Sequence, residues 1–195
     1  MNLLRHMIVA IILSMAVLVS SSTAVAASPR AYIENLIAKS REVIRVREAG
    51  NADSTFAEEF DMPTFAKRCM IDHWDDLSDE QRAEFMDVFA ANLRGQLARM
   101  MRRVGGRGDF SYKIGTVTTG RDDGLVDVPV RVVVGDVDLR FRYFVVKTDK
   151  GYRLADYEID GVLLSRNYRG QFNYMIRKYG FDSLIAKMRA KYASK

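Results

Sequence analysis

Tyr152 to Lys191 reads YRLADYEIDGVLLSRNYRGQFNYMIRKYGFDSLIAKMRAK. The stretch begins as a strand, Tyr152 to Ile159, and runs into Gly161. An Asn-Tyr-Arg-Gly-Gln-Phe segment follows, Asn167 to Phe172. Two helical stretches then flank Tyr179-Gly180-Phe181-Asp182, where glycine interrupts the pattern.

Working upstream, the hydrophobic period is two. Val126, Val128, Val130, Val132 and Val134 alternate with Asp127, Pro129, Arg131 and Val133. Gly135-Asp136 is a two-residue hairpin signal. The return strand alternates Val137, Leu139, Phe141, Tyr143 and Val145 with Asp138, Arg140, Arg142 and Phe144. Phe110, Tyr112, Ile114 and Thr116 form an earlier alternating run, with Asp122-Asp123-Gly124 as a turn. Thr148-Asp149-Lys150-Gly151 turns the chain into Tyr152 to Ile159. This predicts an antiparallel meander of four strands with one apolar and one polar face. Pro129 cannot donate a ladder hydrogen bond, so an edge or bulge is expected there.

Further upstream the period becomes helical. Tyr32, Ile33, Leu36, Ile37, Ser40, Val43 and Ile44 share one face of a helix over Pro29 to Ala49, with Pro29 in its first turn. A short helical region is expected around Asp61 to Trp74. A long helix runs from about Asp79 to Val104, roughly 40 Å. Ser78 and Gln81 form its capping box. Phe85, Phe89, Leu93, Leu97 and Met101 step by four along it, and Val88, Met100 and Val104 widen the stripe. Gly105-Gly106-Arg107-Gly108 ends the helix and lacks the Lys-Ser/Thr of a phosphate loop. Helices before and after a one-faced sheet make an α+β domain in which the helices cover the apolar face.

Residues 1–26 read as a cleavable signal peptide. Arg5 precedes an apolar run from Met7 to Val19, and Ala24-Val25-Ala26 supplies small residues for cleavage. The expected mature domain, residues 27–195, is about 170 residues long, enough for one domain with a core. Export predicts a periplasmic location and argues against nucleic acid as the partner of a chain with net charge +5. Cys69 is the one cysteine, so no internal disulfide forms. It reads as a small buried apolar residue.

The C-terminal stretch resembles the periplasmic phospholipid-binding proteins of the Mla lipid-transport pathway, the MlaC or toluene-tolerance family. The resemblance extends from about Phe60 to Lys191. Phe60-Asp61 looks like the family's entry to its second helical region. Trp74, followed by Glu80-Gln81-Arg82 and Phe85, resembles its Trp and Glu-Gln-Arg-x-x-Phe signature. Asp156 and Gly161 fall where the family places an aspartate and a glycine after the last strand. Asn167, Tyr168, Arg169, Gln171 and Phe172 match its Asn-Tyr-Arg-x-Gln-Phe segment. The resemblance implies a strongly curved antiparallel sheet of four or slightly more strands, packed with helices around an apolar cavity. It implies a phospholipid as ligand and no cofactor. It also implies two partners, an outer-membrane lipoprotein–porin complex and an inner-membrane ABC-transporter complex, with outer-membrane lipid asymmetry as the outcome. A hopanoid-carrying branch of the family is the nearest alternative.

Candidate lipid-contacting residues come from three apolar faces. The long helix offers Phe89, Leu93, Leu97, Met100 and Met101. The sheet offers Val130, Val132, Phe141, Tyr143 and Val145. The closing helices offer Tyr168, Phe172, Met175 and Ile176. Each is a residue type that also serves as ordinary core. Arg131, Arg140 and Arg142 share the polar face, where Asp127 and Asp138 balance them. A small enzyme or a protein-only adaptor would use the same fold. Catalysis is disfavoured because His73 is the single histidine beyond the signal segment and sits in an acidic turn, Asp72 to Asp76. Asp156, Glu158 and Asp160 alternate and are expected on one solvated strand edge. No catalytic or metal-ligating set is expected.

Overall fold

The computed structural model describes residues 28–46, 58–104, 110–119 and 124–193. The expected signal segment, residues 1–26, lies outside the described residues, as do Gly105-Gly106-Arg107-Gly108 and Asp122-Asp123. In chain order the elements are α1 (Pro29–Val46), α2 (Met62–Cys69), a short 3-10 turn (Trp74–Asp76), α3 (Asp79–Val104), β1 (Ser111–Ile114), β2 (Thr118–Thr119), β3 (Val126–Val134), β4 (Val137–Thr148), β5 (Gly151–Ile159), β6 (Val162–Leu163), α4 (Leu164–Tyr179) and α5 (Phe181–Ala193). The expected region from Asp61 to Trp74 divides into α2 and the 3-10 turn, because Met70 to His73 turn between them.

The valine alternation folds as an antiparallel sheet in the order β1-β3-β4-β5-β6, with β2 also paired to β3. The two-residue strands β2 and β6 extend the expected four-stranded meander. β3 and β4 turn at Gly135-Asp136, where Val134 faces Val137 and Gly135 has φ +58°. Pro129 sits where β1 gives way to β2. Its carbonyl accepts from the Gly115 amide at 2.8 Å, so its missing N–H faces that gap and not β4. A Cβ on Gly115 would lie 3.1 Å from the Pro129 ring, so the absence of a side chain permits the approach.

The register between β4 and β5 slips once. Phe144 faces Asp156, and Val145 faces Leu154, leaving Ala155 as the extra residue of a bulge. A bulge flips the alternation beyond it. Tyr157 therefore lies opposite Tyr143 on the apolar face.

The helices dock through specific polar links as well as burial. Ser78 and Gln81 cap α3 reciprocally: the Ser78 amide donates to Gln81 Oε1 at 3.0 Å, and the Gln81 amide donates to Ser78 Oγ at 3.2 Å. Arg82 lies over the Trp74 ring at 5.6 Å and donates to the Trp74 carbonyl at 3.0 Å. Phe60 bridges to Leu154 on β5, and Asp61 then caps α2 by accepting from the Thr64 amide at 3.2 Å. Tyr32 on α1 donates to Glu59 Oε2 at 3.0 Å, and Lys39 pairs with the same carboxylate at 2.5 Å. These bonds fasten α1 to the start of that segment.

Asp156 joins three elements and corrects the expectation of a solvated acidic edge. It is fully buried, Glu158 is half-buried beside Arg142, and Asp160 stands in the following turn with φ +48°. Asp156 Oδ1 accepts from the Tyr157 amide at 2.9 Å and from the Ser165 amide, in the first turn of α4, at 3.2 Å. Oδ2 accepts from Arg68 Nε on α2 at 3.2 Å. Burial pushes this carboxyl up from 3.8, against the bonds from Ser165 and Arg68 that pull it down.

Asp156→Ala should lower unfolding stability by about 3 kcal/mol in urea titration, since two amides and a guanidinium lose their acceptor. Asp156→Asn keeps an oxygen for both amides and should lower it by about 1 kcal/mol. The upward shift means ionisation opposes folding. That opposition is absent below 3.8, grows as pH rises, and is complete above the folded-state value. The Asn variant carries no such contribution, so its stability relative to wild type should improve as pH rises through that window. A flat difference across it would contradict the assignment.

Candidate functional site

Apolar side chains gather in three places, and the sequence candidates divide among them. The first is an aromatic core between the helices. Phe89 of α3 stacks on Phe65 of α2 at 5.4 Å and on Phe85 at 5.2 Å between ring centres. Its ring also meets Tyr168 at 4.9 Å and Phe172 at 5.4 Å, both edge-on from α4. Edge-on and offset rings suit the aromatic quadrupole. The spacing of Tyr168 and Phe172, one turn apart on α4, presents both to the same ring. Phe89 and Leu93 are fully buried here. The Tyr168 hydroxyl donates to Gln96 Oε1 at 2.9 Å, which satisfies the one polar atom of the cluster.

The second place is the apolar face of the sheet. Val130 faces Phe141, Val132 faces Leu139, Val128 faces Tyr143, and Val126 faces Val145. Phe141 and Tyr143 stack along β4 at 5.7 Å. Burial is graded across this face. Val128, Val130, Val145, Leu154 and Ile114 are buried under the helices. Val132, Leu139, Phe141, Tyr143, Tyr157 and Tyr112 are only half-buried. Burial raises the Tyr143 phenol well above its ordinary 10 and pushes Tyr157 up to about 12, helped by the Asp156 charge. Both phenols stay neutral at physiological pH, so this half-covered face carries no charge of its own there.

The third place is a cleft of about 240 Å³ between α3, α4 and α5. Phe89, Tyr168, Phe172, Met175, Leu184 and Met188 give it apolar walls, and Asn92, Gln96, Gln171, Tyr174 and Lys187 give it polar ones. Asn92 donates from Nδ2 to the Val88 carbonyl at 2.9 Å and to the Met188 carbonyl at 3.0 Å, which fastens α5 to α3.

Of the sequence candidates, Val130, Val132, Phe141, Tyr143 and Val145 share the sheet face. Phe89, Tyr168, Phe172 and Met175 share the helical cleft, which takes no lining residue from the sheet. Leu93 lies in the core, and Ile176 packs half-buried against it. The side chains of Leu97, Met100 and Met101 lie outside the described residues. Sequence reasoning passed over Tyr112, Tyr157, Asn92, Leu184 and Met188. Leu184 and Met188 carried a usable signal, a four-residue step on α5. Tyr157 carried none, because only the bulge at Ala155 turns it to the apolar face.

The polar face of the sheet is an ion-paired surface. Arg131 grips Asp138 with Nε–Oδ1 at 2.9 Å and Nη2–Oδ2 at 2.6 Å, and Arg142 pairs with Asp127 and, at 3.7 Å, with Glu158. The acidic turn around His73 is latched to α4. Arg169 Nε reaches Asp72 Oδ2 at 2.6 Å, Asn173 Nδ2 donates to the same oxygen at 2.7 Å, and His73 Nε2 lies 2.5 Å from Asn173 Oδ1. Cys69 is buried, and burial raises its thiol pKa further, so it stays a neutral packing residue.

The family model described as MlaC protein matches residues 37–190. The chain belongs to the MlaC family. A solved phospholipid-binding protein from Ralstonia solanacearum, in complex with a phospholipid, has the same fold at a TM-score of 0.71 and 20% sequence identity. The match covers 86% of this chain and 98% of that one. Comparison with curated proteins gives no match. The residues that carry the resemblance have structural duties here. Trp74 carries Arg82, Tyr168 and Phe172 close the aromatic core, Arg169 latches Asp72, and Asp156 joins β5 to α2 and α4.

Phe89 stands where core and cleft meet, and its removal reports on both. Phe89→Ala should lower stability by about 3–5 kcal/mol, measured by the urea midpoint at constant slope. A loss below about 1 kcal/mol would mean that the four surrounding rings do not depend on it.

Proposed function

We propose that this protein is a periplasmic phospholipid carrier, exported by residues 1–26. It moves lipid between an outer-membrane lipoprotein–porin complex and an inner-membrane ABC-transporter complex and so maintains outer-membrane lipid asymmetry. The observation that carries the reading is membership of the MlaC family over residues 37–190. The fold shared with a protein that holds a phospholipid supports it. So does the half-covered apolar face of the sheet, where Val132, Phe141, Tyr143 and Tyr157 stand ready to meet acyl chains. The protein acts by binding and release, without catalysis.

The physics of such a carrier is severe. Each buried CH₂ contributes about 0.8 kcal/mol, so two chains of about sixteen carbons gain roughly 20 kcal/mol or more before ordering costs are subtracted. Spontaneous escape into water is correspondingly slow. Tyr143 and Tyr157 stay neutral at physiological pH, so their protonation offers no trigger for release. Release therefore requires a partner that opens the cavity.

Native mass spectrometry on mature protein purified from periplasm without detergent tests the reading. One bound diacyl phospholipid is expected. A triterpenoid mass would move the cargo to hopanoids, and bare protein with no extractable lipid would overturn the carrier reading. Val132→Glu and Tyr143→Glu should each lower co-purified lipid several-fold while the protein stays folded. Unchanged lipid in both folded variants would remove the sheet face as the tail site. Loaded protein should keep its lipid for minutes or longer beside bare liposomes; transfer within seconds would contradict partner-gated release.

A further inference from the structure

The hairpin α4–α5 has a one-sided charge distribution that lipid carriage does not use. Asp182 is its only acid between Leu164 and Ala190. Arg169 and Arg189 are paired, with Asp72 and Glu84. Arg166, Arg177, Lys178 and Lys187 are exposed, and none has a carboxylate partner within salt-bridge distance among the described residues. Buried Ser165, Tyr168 and Phe172 mark the inner face of α4. Helical spacing puts Arg166, Gly170, Tyr174 and Arg177 on the opposite one.

Two large aromatics stand in this basic field. Tyr174 is 58% exposed and Tyr179 is 51% exposed, with ring centres 6.4 Å apart. Lys178 Nζ lies 5.4 Å from the first ring and 5.0 Å from the second, and donates to the Tyr174 hydroxyl at 3.1 Å. Tyr174 and Lys187 also line the cleft between α3, α4 and α5.

Exposed phenols beside unpaired cations fit the headgroup level of a bilayer, where rings sit at the interface and ammonium and guanidinium groups meet phosphate. An acidic protein would offer the same sign of charge. Lysine, however, is depleted at protein–protein interfaces, and here Lys178 stands between the two exposed rings. We propose that the exposed α4–α5 face docks this protein on an anionic phospholipid bilayer, with Arg177, Lys178 and Lys187 meeting headgroup phosphates and Tyr174 and Tyr179 lying among the headgroups.

Vesicle co-sedimentation of the mature chain tests this. The probes are pure phosphatidylcholine vesicles and vesicles with about one third phosphatidylglycerol. Wild type should bind the anionic vesicles, ignore the neutral ones, and dissociate as salt shortens the screening length from about 10 Å at 0.1 M to about 3 Å at 1 M. The double variant R177E/K178E should partition about tenfold or more weakly with an unchanged urea midpoint. K150E, an exposed charge reversal in the β4–β5 turn, should bind as wild type does. No binding to anionic vesicles, equal binding by R177E/K178E, or an equal loss in K150E would overturn the proposal. So would capture of soluble polyglutamate without vesicle binding, which assigns the face to an acidic protein. Lipid content measured on the same samples separates this inference from the carrier reading: vesicle docking by protein that carries no lipid would sustain the first and remove the second.

Discussion

The Phe89 ring holds the helical layer together. It is the point where α2, α3 and α4 touch, through Phe65 on one side and Tyr168 and Phe172 on the other. Polar links add to it, from Arg68 of α2 and the Ser165 amide of α4 to Asp156. α2 is only Met62–Cys69, too short to be stable alone, and takes its position from Phe65, Ala66 and Cys69 buried against this cluster. α4 begins at the end of the sheet and must find α3 across the domain. Tyr168 and Phe172 do so with one turn of helix. The cluster therefore fixes α2, α3 and α4 against one another.

Asp156 makes the complementary connection, from the sheet to the helices. A carboxylate buried at this junction is placed at a disadvantage by desolvation, yet it answers two amides and a guanidinium that would otherwise go unsatisfied. Its position depends on the bulge at Ala155. Without that extra residue, Asp156 and Tyr157 would exchange faces, the acid would point into the apolar layer, and Tyr157 would leave it. One residue of slip thus both places Asp156 at the junction into α4 and adds an aromatic to the candidate lipid face.

Elements governed by local rules could be read from the chain alone. The capping box at Ser78 and Gln81, the Gly135-Asp136 hairpin and the span of α3 depend on neighbours in sequence, and each forms as expected. The pairing of Arg131 with Asp138 and of Arg142 with Asp127 followed from strand alternation. What failed was alternation carried past Leu154. The acids at 156, 158 and 160 were expected together in solvent because a bulge has no local mark in this sequence. The site divided for a similar reason. Apolar periodicity marks which side of α3 or β4 faces inward, but not whether another side chain or a ligand fills the space beyond. Phe89 and Val132 carry the same pattern, yet one is enclosed by four rings and the other stands half-buried on the sheet.

That contrast bears on how a carrier of this build must work. A face that is to receive acyl chains cannot be fully packed by its own helices, or there is no room for cargo. Nor can it stay open to water without losing the stabilisation its residues would gain by burial. The graded sheet face resolves the conflict. Val128, Val145 and Leu154 are fully buried and committed to the fold. Val132, Phe141, Tyr143 and Tyr157 remain half-buried, and on the proposed reading a ligand covers them. Cargo then completes a layer that the protein itself supplies only in part, so loading stabilises the domain in proportion to the affinity. On the proposed reading, a partner that removes the lipid must return that stabilisation through contacts of its own.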